Sequence, residues 1–166
     1  MHKLDTLFLD RDGVVNMKLE GRYVRNFEEF EFMPGAIDAI SKLTNKFNRI
    51  IVITNQQGIG KEIMSKADLN TLHAKMQEKI EQSSGKINKI YYCSHLEESD
   101  CSCRKPKPGM IKNALLDFPE IVLKESYLIG DSDSDIEAGK RMNLSTVKVD
   151  NEYTLAKWTA ELLSVF

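Results

Sequence analysis

"TLFLDRDGVVN", residues 6 to 16, begins as an apolar run and breaks into two acids two positions apart, with Gly13 directly behind them. A short, continuously apolar stretch bounded in this way reads as a buried strand, and a glycine next to it permits the chain to turn tightly as it leaves. The same pattern recurs in "RIIVITN" (49 to 55), which ends in Thr54 and Asn55, and in "SYLIGD" (126 to 131), which ends in Asp131. "INKIYYC" (87 to 93) and "STVKVD" (145 to 150) complete five expected strands. Between them lie "PGAIDAISKLTNKF" from Pro34, "SKADLNTLHAKMQEKIEQ" from Ser65, "PGMIKNALLDF" from Pro108 and "SDIEAGKRM" from Ser134. Each has apolar positions three or four apart and a polar or proline start, the marks of crossover helices. "NEYTLAKWTAELLSVF" at the end has the spacing of a final packed helix. Nearly all-apolar strands alternating with helices predict an α/β fold, a Rossmann-like parallel sheet with helices on both faces.

Composition bounds the rest. At 166 residues the chain is expected to be one domain spanning 1–166, with no repeat, low-complexity tract or linker to divide it. Its 23 basic and 25 acidic residues leave a net charge of −2, which offers no global attraction to nucleic acid or to an anionic membrane. No stretch reaches the roughly 18 apolar residues of a membrane helix, and the N-terminus has no leader pattern. Three cysteines, all between Cys93 and Cys103, are an odd number that would close only tiny disulfide loops. A reducing, cytoplasmic setting and a monomer are expected.

The polar residues that end the strands carry the functional signal. Ligands bind open parallel sheets at the carboxyl ends of the strands. One aspartate there is as readily a turn or capping residue. Asp10, Asp12 and Asp131 together, with Thr54 and Asn55, point instead to a shared site. Two carboxylates as close as Asp10 and Asp12 repel each other unless a divalent cation lies among them or one keeps a proton. Both conditions suit phosphoryl transfer, in which one carboxylate attacks phosphorus, a second protonates the leaving alkoxide and a metal ion neutralises the transferring oxygens.

"DRDGVV", "VITNQ", "RKPKPGM" and "IGDSDSD" resemble, in order and across nearly the whole chain, the four motifs of the haloacid dehalogenase superfamily of phosphatases. The resemblance implies that Asp10 is the nucleophile and Asp12 the general acid and then base. It further implies that Asp131 binds magnesium with the Asp10 carboxylate and the Asp12 backbone carbonyl, supported by Asp135. Thr54 and Asn55 would hydrogen-bond the phosphoryl oxygens, and Lys105 would supply the fixed positive charge. Whatever the family, donors and a cation must converge on those oxygens. Of the other basic residues in "RKPKP", Lys107 is expected to be an exposed charge, while Arg104 suits a second anionic group on the substrate because guanidinium binds phosphate or carboxylate in two-pronged fashion.

Cys93-x-His95 and Cys101-x-Cys103 form two short arms joined by "LEESD". Three thiolates and an imidazole are a closed set for structural zinc, with no position left for chemistry. The loop leads directly into Arg104 and Lys105, so a metal there would fix the direction from which those side chains enter the site. His2 and His73 lie outside this pattern and read as ordinary surface or helix residues. With "RKPKPGM", the loop resembles a capless branch that includes heptose 1,7-bisphosphate phosphatases and histidinol-phosphate phosphatases, and the stretch from Asp12 to Thr54 is too short for a large inserted cap. "GRYVRNFEEFEFMPGAIDAI" and "NQQGIGKEIMSKADLNTLHAKM" are more like the heptose enzymes, whose place is in lipopolysaccharide precursor synthesis, and a sugar bisphosphate would give Arg104, Lys61 or Arg25 a distal anion to hold. The short "LEESD" spacer is also like the histidinol-phosphate enzymes, Ser132 stands where many relatives carry a basic residue, and Val14 replaces a frequent threonine. Two further classes fit the residues less well. A phosphate-binding module without turnover would be expected to have lost the nucleophile or the acid. A zinc-dependent nucleic-acid module conflicts with the charge and with the carboxylate cluster.

Overall fold

The computed structural model describes residues 2–165. Its core is a five-stranded parallel sheet in the order β3-β2-β1-β4-β5, made of β1 (Leu4–Leu9), β2 (Phe47–Asn55), β3 (Lys89–Cys93), β4 (Tyr127–Gly130) and β5 (Ser145–Lys148). The crossovers carry α1 (Ala36–Lys46), the single turn α2 (Gln57–Gly60), α3 (Lys66–Gln82), α4 (Gly109–Asp117) and α5 (Asp133–Arg141), and α6 (Leu155–Ser164) follows β5. All the expected elements are present. β5 ends earlier than its apolar run because its neighbour β4 stops at Gly130, which pairs with Lys148; Val149 N still donates to Gly130 O at 2.9 Å, and the ladder ends there.

The strands are apolar throughout because both faces are covered. Leu7, Leu9, Ile50, Val52 and Ile129 point into one core, shared with Ala39, Ile40 and Leu43 of α1, Leu72 and Met76 of α3, and Trp158 and Leu162 of α6. Phe8, Ile51, Ile53 and Leu128, each adjacent in sequence to one of those, point into the other, against Met110 and Ile111 of α4 and Ala138 of α5. Side chains one position apart on a strand face opposite ways, so two cores require two interleaved apolar sets. α3 begins at a capping box in which Ser65 and Asp68 satisfy each other's backbone N–H groups.

Between β1 and α1 the chain forms turns and two isolated bridges, Asp12 to Asn16 and Asn16 to Phe32, tied down by buried Val14, Val15, Val24 and Met33. β1 lies at the centre of the sheet, and successive connections leave it toward β2 on one side and return to β4 on the other. A crevice opens at the carboxyl ends of strands where the winding reverses in this way. Among the described residues no helix is long and apolar enough to cross a membrane.

Candidate active site

Asp10 is the first residue past β1, and its backbone N–H still donates to Ile129 O on β4 at 3.0 Å. The chain then coils on itself, with Arg11 O accepting from Val14 N and Val15 N at 3.1 and 2.8 Å. Gly13 sits at φ 87°, and a Cβ there would lie 2.2 Å from an Asp131 carboxylate oxygen, so only glycine allows this turn to lie against the end of β4. Asp10, Asp12, Asn55, Arg104, Lys105, Asp131 and Asp135 thereby line one cleft of about 320 Å³.

Lys105 enters from the loop after β3 and is 4% exposed. Its ammonium donates to Asp10 Oδ1 and Ile53 O, each at 2.9 Å, and lies 2.6 Å from Asp135 Oδ1. The other oxygen of Asp135 accepts from Ser132 N and Oγ at 3.1 and 2.8 Å, which anchors the start of α5 to the site. Ser132 therefore serves Asp135. One ammonium cannot fully neutralise two buried carboxylates. Asp135 is held below the usual carboxylate range because Lys105 and Ser132 outweigh its burial. Asp10 is pushed well above that range, by burial first and then by the neighbouring charges of Asp135 and Asp12, with Lys105 opposing.

Asp12 has a different environment. Its Oδ1 accepts from Arg11 Nη2 at 2.8 Å and Asn16 Nδ2 at 3.0 Å, and its Oδ2 accepts from Gln56 Nε2 at 2.9 Å. Burial raises its proton affinity, but the Arg11 guanidinium and these hydrogen bonds bring it below the ordinary value. Arg11 is fully buried, and its Nη1 lies 3.1 Å from His73 Nε2 on α3. A guanidinium has only donors, so Nε2 accepts and the ring carries its proton on Nδ1. The expectation that His73 is an ordinary residue is corrected to this extent: it is a helix residue, but 5% exposed and packed behind the site. Burial, and then Arg11, push its pKa down to about 3.

The remaining expected residues are placed as follows. Thr54 is fully buried, outside the cleft lining, and its hydroxyl accepts from Gln56 Nε2 at 2.9 Å. Asn55 lines the cleft, but both ends of its amide are on the Lys105 backbone: Oδ1 accepts from Lys105 N at 3.0 Å and Nδ2 donates to Lys105 O at 3.3 Å. Arg104 borders both the main cleft and an adjoining cavity with Glu97, Ser99 and Lys107, and its Nη1 is buried without a hydrogen-bond partner. Lys107 is half-buried at the rim rather than free, its ammonium donating to Cys101 O at 2.6 Å. Arg25 pairs with Glu29 at 3.0 Å, Lys61 sits over the Tyr23 ring, and neither lines the cleft. The cations that do, besides Arg104 and Lys105, are Lys18 and Arg22, with Lys18 3.6 Å from Asp131. These two, Arg11 and Gln56 were not singled out by sequence reasoning. Arg11 and Gln56 did lie inside quoted motifs, whereas Lys18 and Arg22 carry no signal but charge.

Among the described residues, two groups could hold metal ions. Carboxylate oxygens of Asp10, Asp131 and Asp135 lie within 4.8 Å of one another, a set of hard oxygens suited to magnesium. The Asp12 carboxylate is not part of that set. Ligand atoms of Cys93, His95, Cys101 and Cys103 lie within the same limit, with His95 presenting Nδ1 at 3.1 Å from Cys103 Sγ and 3.4 Å from Cys93 Sγ. Three sulfurs and one imidazole nitrogen match tetrahedral zinc. The loop between them is tied to α2 by Glu97 N donating to Gln57 Oε1 at 3.1 Å and to α4 by Gly109 N donating to Ser102 O at 3.0 Å.

An aspartate at the end of the central strand, a second acid two residues on and a buried lysine between two carboxylates thus share one cleft. Residues 102–163 match the HAD-hydrolase-like family model. The chain is 41% identical over 131 residues to D-glycero-alpha-D-manno-heptose-1,7-bisphosphate 7-phosphatase of Mycobacterium bovis, an alignment covering 79% of this chain and 69% of that one. It is 36% identical over 163 residues to D-glycero-beta-D-manno-heptose-1,7-bisphosphate 7-phosphatase of Pseudomonas putida, covering 96% and 92% of the two chains. The structure of D,D-heptose 1,7-bisphosphate phosphatase from B. bronchiseptica, complexed with magnesium and phosphate, superposes with a TM-score of 0.89 at 29% identity, over 98% of this chain and 99% of that one. The chain belongs to the haloacid dehalogenase-like phosphatases.

Proposed function

We propose that this phosphatase hydrolyses D-glycero-D-manno-heptose 1,7-bisphosphate to the heptose 1-phosphate through an aspartyl phosphate on Asp10. The observation that carries the reading is the convergence of Asp10, Asp12, Lys105 and Asp131 on a cleft whose other walls present the cations Lys18, Arg22 and Arg104. One phosphoryl group is placed against the acids, and a second anion has a guanidinium to meet. The names of the relatives support the sugar.

In the first step an Asp10 oxygen bonds to phosphorus while the bond from phosphorus to the sugar oxygen breaks, and Asp12 donates its proton to the departing alkoxide. In the second, water attacks the phosphorus of the acyl phosphate, Asp12 accepts the water's proton, and phosphate leaves with Asp10 regenerated. The resting hydrogen bonds hold Asp12 ionised, the form the second step needs. An entering phosphoryl dianion raises its proton affinity by like charge and so favours the acid form for the first. Lys105, fixed by Asn55 and Asp135, presents its charge to the transferring oxygens and to the phosphoaspartate. Gln56 ties Asp12 to the buried Thr54 hydroxyl, which steadies the acid from behind the cleft. Asp10, Asp131 and the Asp12 carbonyl would hold magnesium, which would supply positive charge to favour ionised Asp10 and to offset charge on the transferring group.

Zinc held by Cys93, His95, Cys101 and Cys103 would act structurally, setting the loop that delivers Arg104 and Lys105. Residues 1–166 form one catalytic domain, working as a monomer in the cytoplasm on a small phosphorylated substrate, with no nucleic acid or membrane partner. Glu97 lines the adjoining cavity along with Arg104, which favours a second reading in which an amine is held there, as in histidinol phosphate. Phosphate release with magnesium present, comparing both anomers of the heptose bisphosphate with histidinol phosphate, tests the two. A large kcat/KM preference for the bisphosphate is expected, and preference for histidinol phosphate would replace the sugar while leaving the catalytic assignments in place.

A further inference from the structure

Arg11 is enclosed to 0% exposure one residue from the nucleophile, yet it is absent from the cleft lining and so has no path to a bound phosphate. Burying a guanidinium is costly unless its donors are used, and here Nε has no hydrogen-bond partner at all. What the side chain does hold is specific. Nη2 donates to Asp12 Oδ1 at 2.8 Å, Nη1 donates to His73 Nε2 at 3.1 Å, and the guanidinium carbon lies 5.9 Å from the centre of the Phe30 ring. Because the guanidinium is one rigid plane, fixing Nη1 fixes where Nη2 points. His73 is in turn fixed by α3, a capped helix whose Leu69, Leu72 and Met76 are buried.

We propose that Arg11 and His73 are positioning residues that hold the Asp12 carboxylate in the orientation from which it exchanges a proton with the leaving group and with water. The proposal rests on the reading of Asp12 as the proton donor and acceptor. Asn16 and Gln56 each supply a neutral hydrogen bond to Asp12, and Gln56 ties it to Thr54 at the end of β2, whereas Arg11 supplies the charged one and links Asp12 through His73 to α3. The route runs from the core through α3 and His73 to Arg11 and Asp12, with no contact to the substrate.

A structural role alone would slow every substrate alike, so the test uses leaving groups that differ in their need for a proton. p-Nitrophenyl phosphate releases a stable phenolate unaided, whereas heptose 1,7-bisphosphate, or histidinol phosphate if that is the one turned over, releases an alkoxide that needs one. First-turnover release of the leaving group isolates the step before water attack. His73→Leu, which removes the acceptor, is expected to slow alkoxide release about 10-fold and nitrophenolate release less than about 2-fold with KM unchanged, a fraction of the roughly 10²–10⁴ that general acid catalysis supplies. His73→Gln, which keeps an acceptor, should restore the alkoxide rate to within about 2-fold of native. Arg11→Lys, which keeps the charge but not the fork, should show the same selective loss, and it decides the matter should His73→Leu not fold. Equal slowing of both substrates, or a His73→Gln variant as impaired as His73→Leu, would overturn the proposal. Asp12→Asn serves as the reference: without leaving-group selectivity there, the reading of Asp12 itself falls, whereas selectivity there and none at Arg11 or His73 removes only the support.

Discussion

The Lys105 ammonium lies 2.6 Å from a carboxylate oxygen of Asp135, a side chain 1% exposed, and the same ammonium reaches Asp10 at 2.9 Å. One cation thus serves two buried anions. Lys105→Met would leave both without a counter-charge, and breaking a buried pair in this way costs about 3–5 kcal/mol. Denaturant unfolding should show that loss. Phosphate release should fall by at least about 10²-fold, because the same charge is the one presented to the transition state. A variant as stable as the native protein would show that the pair does not act as described.

Asp10→Asn should abolish turnover with the fold retained. Its carboxyl is already pushed well above the usual range by burial, so the neutral amide suits the site about as well as the ionised acid suits it without a metal. Circular dichroism and a thermal melt check the fold, and appreciable phosphate release would remove Asp10 from the nucleophile's role.

The Asn55 amide meets the Lys105 backbone through both of its ends. Asn55→Ala should therefore cost about 1–3 kcal/mol, the usual price of two half-buried hydrogen bonds. It should lower kcat more than it raises KM, since the Lys105 charge is displaced from oxygens that gain charge in the transition state. Parallel kinetic and unfolding measurements separate the two effects, and a change confined to KM would place Asn55 on the substrate instead.

Zinc is expected at one ion per chain by metal analysis. Cys101→Ser, or prolonged chelation, should lower thermal stability first and activity second, because the loop ends at Arg104 and Lys105 and is also held by Lys107 on Cys101 O. Full activity and an unchanged melt in a zinc-free protein would show the cluster to be four unligated side chains.

His73 sets a pH dependence whose sign follows from its burial. Unfolded, it takes a proton near its ordinary 6.5; folded, only near about 3. Above 6.5 both states are neutral and the stabilisation is complete. Between 6.5 and about 3 the unfolded chain binds the extra proton, and stability falls with acid by up to about 1.4 kcal/mol per pH unit. Urea unfolding of the native protein and of His73→Leu at pH 7 and pH 5 should show a smaller loss in the variant. An identical loss would mean that His73 titrates normally in the fold.

The fold and the acids at the strand ends were legible in the residues because each signal is local. Continuous apolar runs ending in Asp10, Asn55 and Asp131 announce buried parallel strands and where their ends lie, and the close spacing of Cys93, His95, Cys101 and Cys103 can meet in one loop. Roles that depend on contacts between distant segments were not legible. Asn55 has the same neighbours in sequence whether it binds phosphate or grips Lys105, and nothing around His73 in its helix says that it faces Arg11.

The sequence by itself determined the order of strands and helices, the acids at the strand ends and the close grouping of Cys93, His95, Cys101 and Cys103, since hydrophobic periodicity and short-range spacing are properties of the chain alone. Only the tertiary structure decided which cations enter the cleft, selecting Lys18, Arg22, Arg104 and Lys105 and leaving Arg25 and Lys61 outside. It also decided that Asp10 and Asp12 are held at opposite proton affinities. The physical reason is that burial and through-space charge act over a few ångströms without regard to separation along the chain, and those distances exist only once the sheet has brought residues 10, 55, 105 and 131 together.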